Sequence, residues 1–524
     1  MTMQAQPDIK KNIYFSEKHC LEYKQRFVQM KAHPNGSLFG VYNTYSVSNM
    51  QWRLCKLNSN FETVWQKEYG GSGNEIMSFL NVLPNGNLLL TGTTNSHDGD
   101  VWYGQAISAQ DIWILEVDTF GTIKKGRILR GTNGSDVRST IVSSDGNIYL
   151  CGETSADQYD FAHPSYGWPD SDGWFAKLDT AFNLKWMKFF SGNSSEETQE
   201  IYEINTNRFI VCLNTASTDT ALCGLQDKGA GDAMLAFIDS NGQVIWKRRY
   251  GGSMVDAGFK AAYDSTLQHI YISGRTDSDD GDIGYYTGTG NGNISKNVYN
   301  NWILQIDTLG TIIGSKAYGD VYSLGNGGPY IEDAIWYNNN LWTFCRTRGE
   351  GGDVDMNSNF NIQNVWIGVI DHQTNLIAKY TLNGYGYDEI NNVFMKNGGL
   401  YLNGYSSANP QTNTFSCDTS SIFGFVLKLG EAPLEIKQTS SKESIVGTLY
   451  PNPTSGHFKL QTDAKHIRQI NVYSVLGERV FAITNPSQEA SVPIQLPSLP
   501  DGLYVLKASS DEGYFTQSFL VQTH

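Results

Sequence analysis

An internal period of roughly sixty residues constrains this chain more than any other feature. A strand-like stretch with an aromatic or large apolar residue five positions before an Asp recurs at Trp113 to Asp118, Trp174 to Asp179, Met234 to Asp239, Trp302 to Asp307 and Trp366 to Asp371. Weaker copies flank these: Arg53 to Asn58, with its Trp shifted to Trp52, and Phe425 to Gly430. Successive anchor positions are 60, 61, 60, 68, 64 and 59 residues apart. A fixed period means one supersecondary unit used repeatedly, each copy burying its apolar face against the next.

Each unit reads as four short strands. The first two are joined by a tight turn, as at Asn85-Gly86, Asp145-Gly146 and Asn397-Gly398, where Gly supplies the positive φ that a hairpin needs. The second strand often ends in Gly, as at Gly92, Gly152, Gly274 and Gly404. A long connection, the anchor strand, a short Asp-x-x-Gly turn and a last strand ending Tyr-Gly follow, as at Tyr69-Gly70, Tyr250-Gly251 and Tyr318-Gly319. Four-stranded units arranged radially protect most strand edges, which predicts an all-β, seven-bladed β-propeller over residues 7–430. The last copy lacks an outer strand and Asn12 to Ser16 lacks a partner, so the N-terminal segment is expected to close the ring; an open solenoid is the alternative.

These units resemble the bacterial β-propeller repeat family, whose elements are Tyr-Gly-Gly, Gly-x-Thr-x-Ser and Trp-x-x-x-x-Asp. The second and fifth units match best, through Gly92-Thr93-Thr94-Asn95-Ser96 and Gly274-Arg275-Thr276-Asp277-Ser278, while the first, fourth and seventh depart from the pattern.

Residues 431–444 are polar without a clear strand and read as a linker. Residues 445–524 alternate as a small immunoglobulin-like β-sandwich would. Tyr450-Pro451-Asn452-Pro453, Gly477, Gly502 and Tyr504 stand in an order that resembles the type A C-terminal sorting domain of Bacteroidetes type IX secretion cargo. The resemblance implies the type IX machinery as partner, cleavage near the linker, and release or attachment at the outer-membrane surface. An ordinary sandwich that stays attached is the alternative. Residues 1–6 fit either the tail of a signal peptide or a short N-terminus.

A net charge of −15 without a local Lys/Arg cluster argues against nucleic acid, and no apolar run approaches the ~20 residues of a membrane span. In a meander, connections of like rank emerge on one face, so ligand binding is expected where the long second-to-third connections lie. Trp102, Tyr103, His163, Tyr166, Trp168, Tyr285, Tyr286 and Tyr330 on that side, with Tyr159, Phe161 and Tyr299, suit a glycan, which has an apolar face and a hydroxyl rim; packing within the loops is the other reading. Asp277, Asp279, Asp280 and Asp282 could hold Ca2+, the one candidate cofactor. An Asp recurs at 100, 160, 282 and 353, however, which favours a structural turn role. Acids at Glu75, Asp136, Glu197, Asp256 and Glu389 likewise read as caps for backbone N–H groups.

Inspection finds no His-Glu-x-x-His, Gly-x-Ser-x-Gly or Cys-x-x-Cys motif. A binding scaffold for a glycan or protein is therefore expected, with a glycosidase or lyase and a structural adhesin as alternatives. Of seven cysteines, Cys55, Cys151, Cys212 and Cys345 read as small core residues, and Cys20 with Cys417 as a candidate disulfide.

Overall fold

The computed structural model describes residues 11–20, 27–45, 49–101, 110–162, 171–218, 228–284, 300–319, 330–347, 353, 363–382, 388–406, 423–431, 447–462, 467–474, 479–487, 491–510 and 514–522. These are all-β, with one short 3-10 turn at Tyr159–Phe161 and no α-helix among the described residues. The chain divides into two compact units, Met1–Ala432 and Pro433–His524.

In the first unit every sixty-residue repeat forms an antiparallel meander. The first sheet orders Gln29–Ala32, Leu38–Tyr45, Met50–Leu57 and Thr63–Tyr69, and further sheets of four strands follow over 75–129, 135–190, 196–250, 256–318 and 330–382. A seventh set, Asp388–Lys396, Gly399–Ser406 and Phe423–Glu431, takes its outermost strand, Lys11–Cys20, from the other end of the chain. That strand runs antiparallel to Phe423–Glu431 from Ile13↔Glu431 to Cys20↔Phe425. Its first two residues also lie parallel to the sixth sheet's outer strand, at Lys11↔Ala378 and Asn12↔Lys379. The first strands of the sheets contact one another in chain order, and Asp388–Lys396 contacts Gln29–Ala32, so the series closes on itself.

Side chains at one equivalent first-strand position tie neighbouring sheets together. Gln29 Oε1 accepts the Leu80 N–H at 2.5 Å, Glu200 accepts that of Ala261, and Asp333 Oδ2 accepts that of Val393 at 2.8 Å. At the join, Asn392 Oδ1 accepts the Met30 N–H at 2.9 Å while its Nδ2 donates to Met30 O at 3.1 Å.

Repetition of residue type has local causes. Most first strands carry a β-bulge opposite the end of the second strand, shifting register between Met77 and Phe79, Val137 and Ser139, and Gly258 and Lys260. The bulge pushes a carbonyl against the facing residue: a Cβ at Gly92 would stand 2.1 Å from Ile76 O, and one at Gly152 1.9 Å from Asp136 O. Glycine therefore recurs there to permit close approach. The Asp of each anchor is an Asx turn; Asp118 Oδ1 accepts the N–H groups of Phe120 and Thr122 at 2.9 and 2.8 Å, and Asp179, Asp239, Asp307 and Asp371 repeat this.

The apolar layer between sheets is built on the anchor strands, where Trp52, Trp113, Trp174, Trp302 and Trp366 are buried, Trp52 stacking on Trp113 at 4.2 Å. Phe161, read from sequence with the exposed loop aromatics, is core: it packs edge-on to Trp174 at 5.3 Å, because its 3-10 turn folds back over the anchor strand. Cys55, Cys151, Cys212 and Cys345 are buried core residues, and Cys417 lies outside the described residues.

The second unit pairs Gly447–Tyr450, His457–Thr462 and Ser491–Gln495 in one sheet, and Arg479–Ser487, Ile467–Ser474, Gly502–Ser510 and Tyr514–Val521 in another. Both supply one core that includes Leu460, Ile470, Val472, Val492, Leu506 and Phe519.

Candidate functional site

Three layers of polar side chains occupy the inner ends of the sheets, and strand alternation separates them. The first is structural. Glu75 Oε1 accepts the hydroxyl hydrogens of Thr94, at 2.7 Å, and Ser96, while Oε2 accepts the Gly71 N–H at 3.1 Å. Asp256 does the same with Thr276, Ser278 and Gly252, and Glu196 with Thr215, Ser217 and Gly192. The Gly-Gly pair, the acid and the Gly-x-Thr-x-Ser element are thus one hydrogen-bonded device. In the fourth sheet the cap is Glu196, not Glu197. In the third, Ser135 takes the position, its hydroxyl 2.7 Å from that of Thr154, and in the seventh Asp388, beside Ser406, takes it. The reading of Asp136, Glu197 and Glu389 as caps is one residue out, because the glycine counted from there matches the second of the pair and not the first. Counting back from the Thr-x-Ser element would have found the right residue.

The recurrent Asp at 100, 160, 282 and 353 latches neighbouring sheets. Asp100 N–H donates to Gly70 O at 2.9 Å and its carboxylate accepts the Gly70 N–H at 3.2 Å; Asp160 with Arg130, Asp282 with Gly251 and Asp353 with Gly319 repeat the pair. Among the described residues no group of three or more His, Cys, Asp or Glu is placed for a metal ion. The four carboxylates considered for Ca2+ diverge: Asp280 accepts the Ser253 N–H at 2.7 Å, Asp282 is paired with Lys228, Asp279 is exposed, and Asp277 faces Arg275.

One residue beyond each cap, side chains turn to the centre of the ring. Arg138, on the third sheet's bulge, bridges Glu153 at 2.5 Å and Asp136 at 3.4 Å. On the sixth sheet Arg346 pairs with Glu332 and lies 3.6 Å from Glu389, whose Oε2 also accepts the Tyr405 hydroxyl at 2.8 Å. Between these, Arg138, Glu197, Gln199, Asn214, Phe259 and Arg275 line a cleft of about 320 Å³. It opens where second strands end and third strands begin, on the side of the long connections. Tyr330 begins the sixth sheet opposite Arg346, at the register position that Asp136 and Glu197 occupy in theirs. Trp102, Tyr103, His163, Tyr166, Trp168, Tyr285, Tyr286 and Tyr299 lie outside the described residues; Tyr159 is exposed.

Deeper in the ring, Glu200, Lys260, Asp333 and Lys31 converge from the fourth, fifth, sixth and first sheets, with Lys260 Nζ 3.8 Å from Glu200. Burial pushes Glu200 and Glu332 up to about 7, against Lys260 and Arg346, and pushes Asp277 up to about 6 against Arg275. Burial likewise raises Glu196 and Asp388 to about 7. Conversely, the Lys124 ammonium and two backbone N–H groups outweigh burial and hold Asp118 down near 2.

A carboxyl raised by folding favours the native state below its unfolded value and loses that contribution as pH rises through its native one; a lowered carboxyl does the reverse. The thermal midpoint is therefore expected to peak near pH 4, to fall by several degrees between about pH 4.5 and pH 7, and to fall again towards pH 2. Differential scanning fluorimetry across that range checks this, and Glu196→Gln should flatten the alkaline limb.

In the second unit the Tyr450-Pro451-Asn452-Pro453 segment is stitched to the last strand. Asn452 Oδ1 accepts the Leu520 N–H at 2.9 Å, and Thr454 N–H donates to Leu520 O at 2.8 Å. Gly502 opens Gly502–Ser510, and Tyr504 is core, its hydroxyl donating to Pro500 O at 3.0 Å. Gly477 lies outside the described residues. Residues 448–522 match the family described as secretion system C-terminal sorting domain. This unit is a type IX sorting domain. The sorting domain implies interaction with the secretion machinery, export, and attachment at the cell surface after its cleavage. No described helix is long and apolar enough to cross a membrane.

No curated protein matches the chain. Solved structures of similar fold include acylaminoacyl peptidase of Pyrococcus horikoshii, 9% identical with a TM-score of 0.38 over 88% of this chain and 59% of that one. The plexin A4 extracellular region is 8% identical, TM-score 0.40, over 97% and 61%. The polysaccharide lyase Uly1 is 10% identical, TM-score 0.42, over 81% and 95%. This chain thus spans about three fifths of the first two. At such values the likenesses carry no argument about ligand or activity.

Proposed function

We propose that residues 7–430 are a seven-bladed β-propeller closed by the N-terminal strand, joined by a linker at 431–444 to an immunoglobulin-like sorting domain at 445–524. The protein is a binding scaffold that a Bacteroidetes cell exports and displays, and its ligand is a glycan held over the centre of the ring. The cleft between Arg138, Glu197, Gln199, Asn214 and Arg275 carries this reading. It sets guanidinium, carboxamide and carboxylate groups, the partners that sugar hydroxyls use, at one mouth, and Trp102, Tyr103, His163, Tyr166, Trp168, Tyr285, Tyr286 and Tyr330 are the aromatic contacts proposed for the same ligand. Rings over such a floor would stack on the apolar sugar face.

The test is a glycan array probed with the propeller freed of its sorting domain. Binding is expected, and Arg275→Ala or Trp168→Ala should weaken it about tenfold or more, the scale of one charge-assisted or stacking contact. Bound glycans should be recovered intact. Absence of any glycan ligand, with capture of a protein instead, would replace the ligand class. Cleavage abolished by Glu197→Gln or Asp277→Asn would replace the scaffold with a carbohydrate-active enzyme.

A further inference from the structure

A residue that marks a recognition domain serves either its fold or the contact that the fold presents. Among the motif residues of the second unit, Asn452 serves the fold through the Leu520 N–H, and Tyr504 serves it through the core and Pro500 O. Tyr450 does neither. Its ring is 78% exposed, more than any other large apolar side chain among the described residues, and it ends the strand Gly447–Tyr450, whose Leu449 points into the core instead. A ring so placed adds little to stability, so its use lies in contact with another molecule.

Strand alternation sets Tyr450 on the outer face of the three-stranded sheet. In register it lies opposite Lys459, and Lys459 lies opposite Pro493, so the three form one row across the sheet. Lys459 and Pro493 are exposed, while Phe458, Leu460, Val492 and Ile494 point the other way into the core. His457 and Gln495 make a second row. Together with Pro451 these residues line a depression of about 530 Å³. None of the three strands contains a carboxylate, and Lys459 is their one lysine. Pro493 removes a backbone donor from one edge strand and Pro451 stops the other after four residues, which disfavours strand addition and leaves the face as the contact.

We propose that this face of the sorting domain is the surface by which the secretion machinery holds the chain, through a protein component that offers an apolar pocket to the Tyr450 ring and a carboxylate to Lys459. The partner follows from the domain itself, since residues 448–522 match a sorting family and that match implies interaction with the machinery. Its chemistry follows from the row: a ring, an ammonium and a proline, the mixture of apolar anchor and flanking charge on which protein contacts are built. Leu503 and Leu520, opposite one another on the other sheet and 51% and 37% exposed, provide the comparison. The inference does not depend on the glycan reading.

The test uses the full chain in its native host, with surface delivery read by protease accessibility and the thermal midpoint read on the purified chain. Tyr450→Ser with Lys459→Glu should lower delivery about tenfold or more and leave folded, uncleaved chain within the cell envelope, its midpoint unchanged. Tyr450→Phe, which keeps the ring, should be delivered as the intact chain is, and so should Leu503→Ser with Leu520→Ser. Normal delivery of Tyr450→Ser with Lys459→Glu, where removal of residues 433–524 abolishes it, would leave the address in this domain and overturn the assignment of this face. A lowered midpoint would assign Tyr450 to the fold, and equal loss in Leu503→Ser with Leu520→Ser would move the contact to the other sheet; either result overturns the proposal.

Discussion

Removal of residues 433–524 is expected to drop surface-exposed protein to background while the remaining ring stays folded. The two units are separately compact, and the sorting domain has its own core of Leu460, Ile470, Val472, Leu506 and Phe519. Deletion therefore takes away the signal that the export machinery reads without uncovering the core of the ring. Cell fractionation and protease accessibility in the native host measure the first effect, and circular dichroism of the truncated chain the second. A point variant separates loss of the signal from loss of chain. Tyr504→Ala forfeits the buried ring packed at 6.1 Å from Phe519 and the bond to Pro500, a cost of about 3 kcal/mol or more in a module this small. It should cut surface delivery sharply. Delivery of the truncated chain at the level of the intact one would mean that the address lies elsewhere.

Removal of residues 1–20 should have the largest effect on stability. The seventh sheet would be left with three strands, and Phe423–Glu431 would lose its ladder from Ile13↔Glu431 to Cys20↔Phe425. A row of unpaired backbone groups would then face water at the point where the cycle closes. A broad, low-temperature transition is expected, with aggregation as the exposed edge finds partners. Asn392→Ala is the calibrating variant: it removes the two hydrogen bonds to Met30 at the inner side of the same join and should cost about 1–3 kcal/mol. The truncation should cost several times as much. Equal midpoints for the truncated and intact chains would show that the inner contacts close the ring alone.

The strand units were legible because their signals are local. Trp-x-x-x-x-Asp marks a buried strand followed by an Asx turn, Asn-Gly and Asp-Gly mark hairpins, and each rests on backbone geometry within a few residues. That Asp100, Asp160, Asp282 and Asp353 serve the fold was legible for a related reason, since a residue repeated in four units serves the repeat, but the sequence pointed to a turn and only the structure shows the latch between neighbouring sheets. The cap position was misplaced by one, at Glu197 for Glu196, and in a strand one residue exchanges the packed side for the facing one. That slip hid the central ring: Asp136, Glu197 and Glu389 looked like structural acids and belong to the layer with Arg138, Arg275 and Arg346.

By itself, the sequence determined the all-β class, the sixty-residue period and the turn chemistry, since all are written in short-range spacing, while the sorting domain was legible only through the resemblance of its motifs to a known family. Only the tertiary structure decided which side chains from different sheets meet. Arg138 with Glu197 and Lys31 with Asp333 are juxtapositions across sheets. A linear period carries no record of them, because they follow from how the units turn about a common centre and from which edge the first strand comes back to cover.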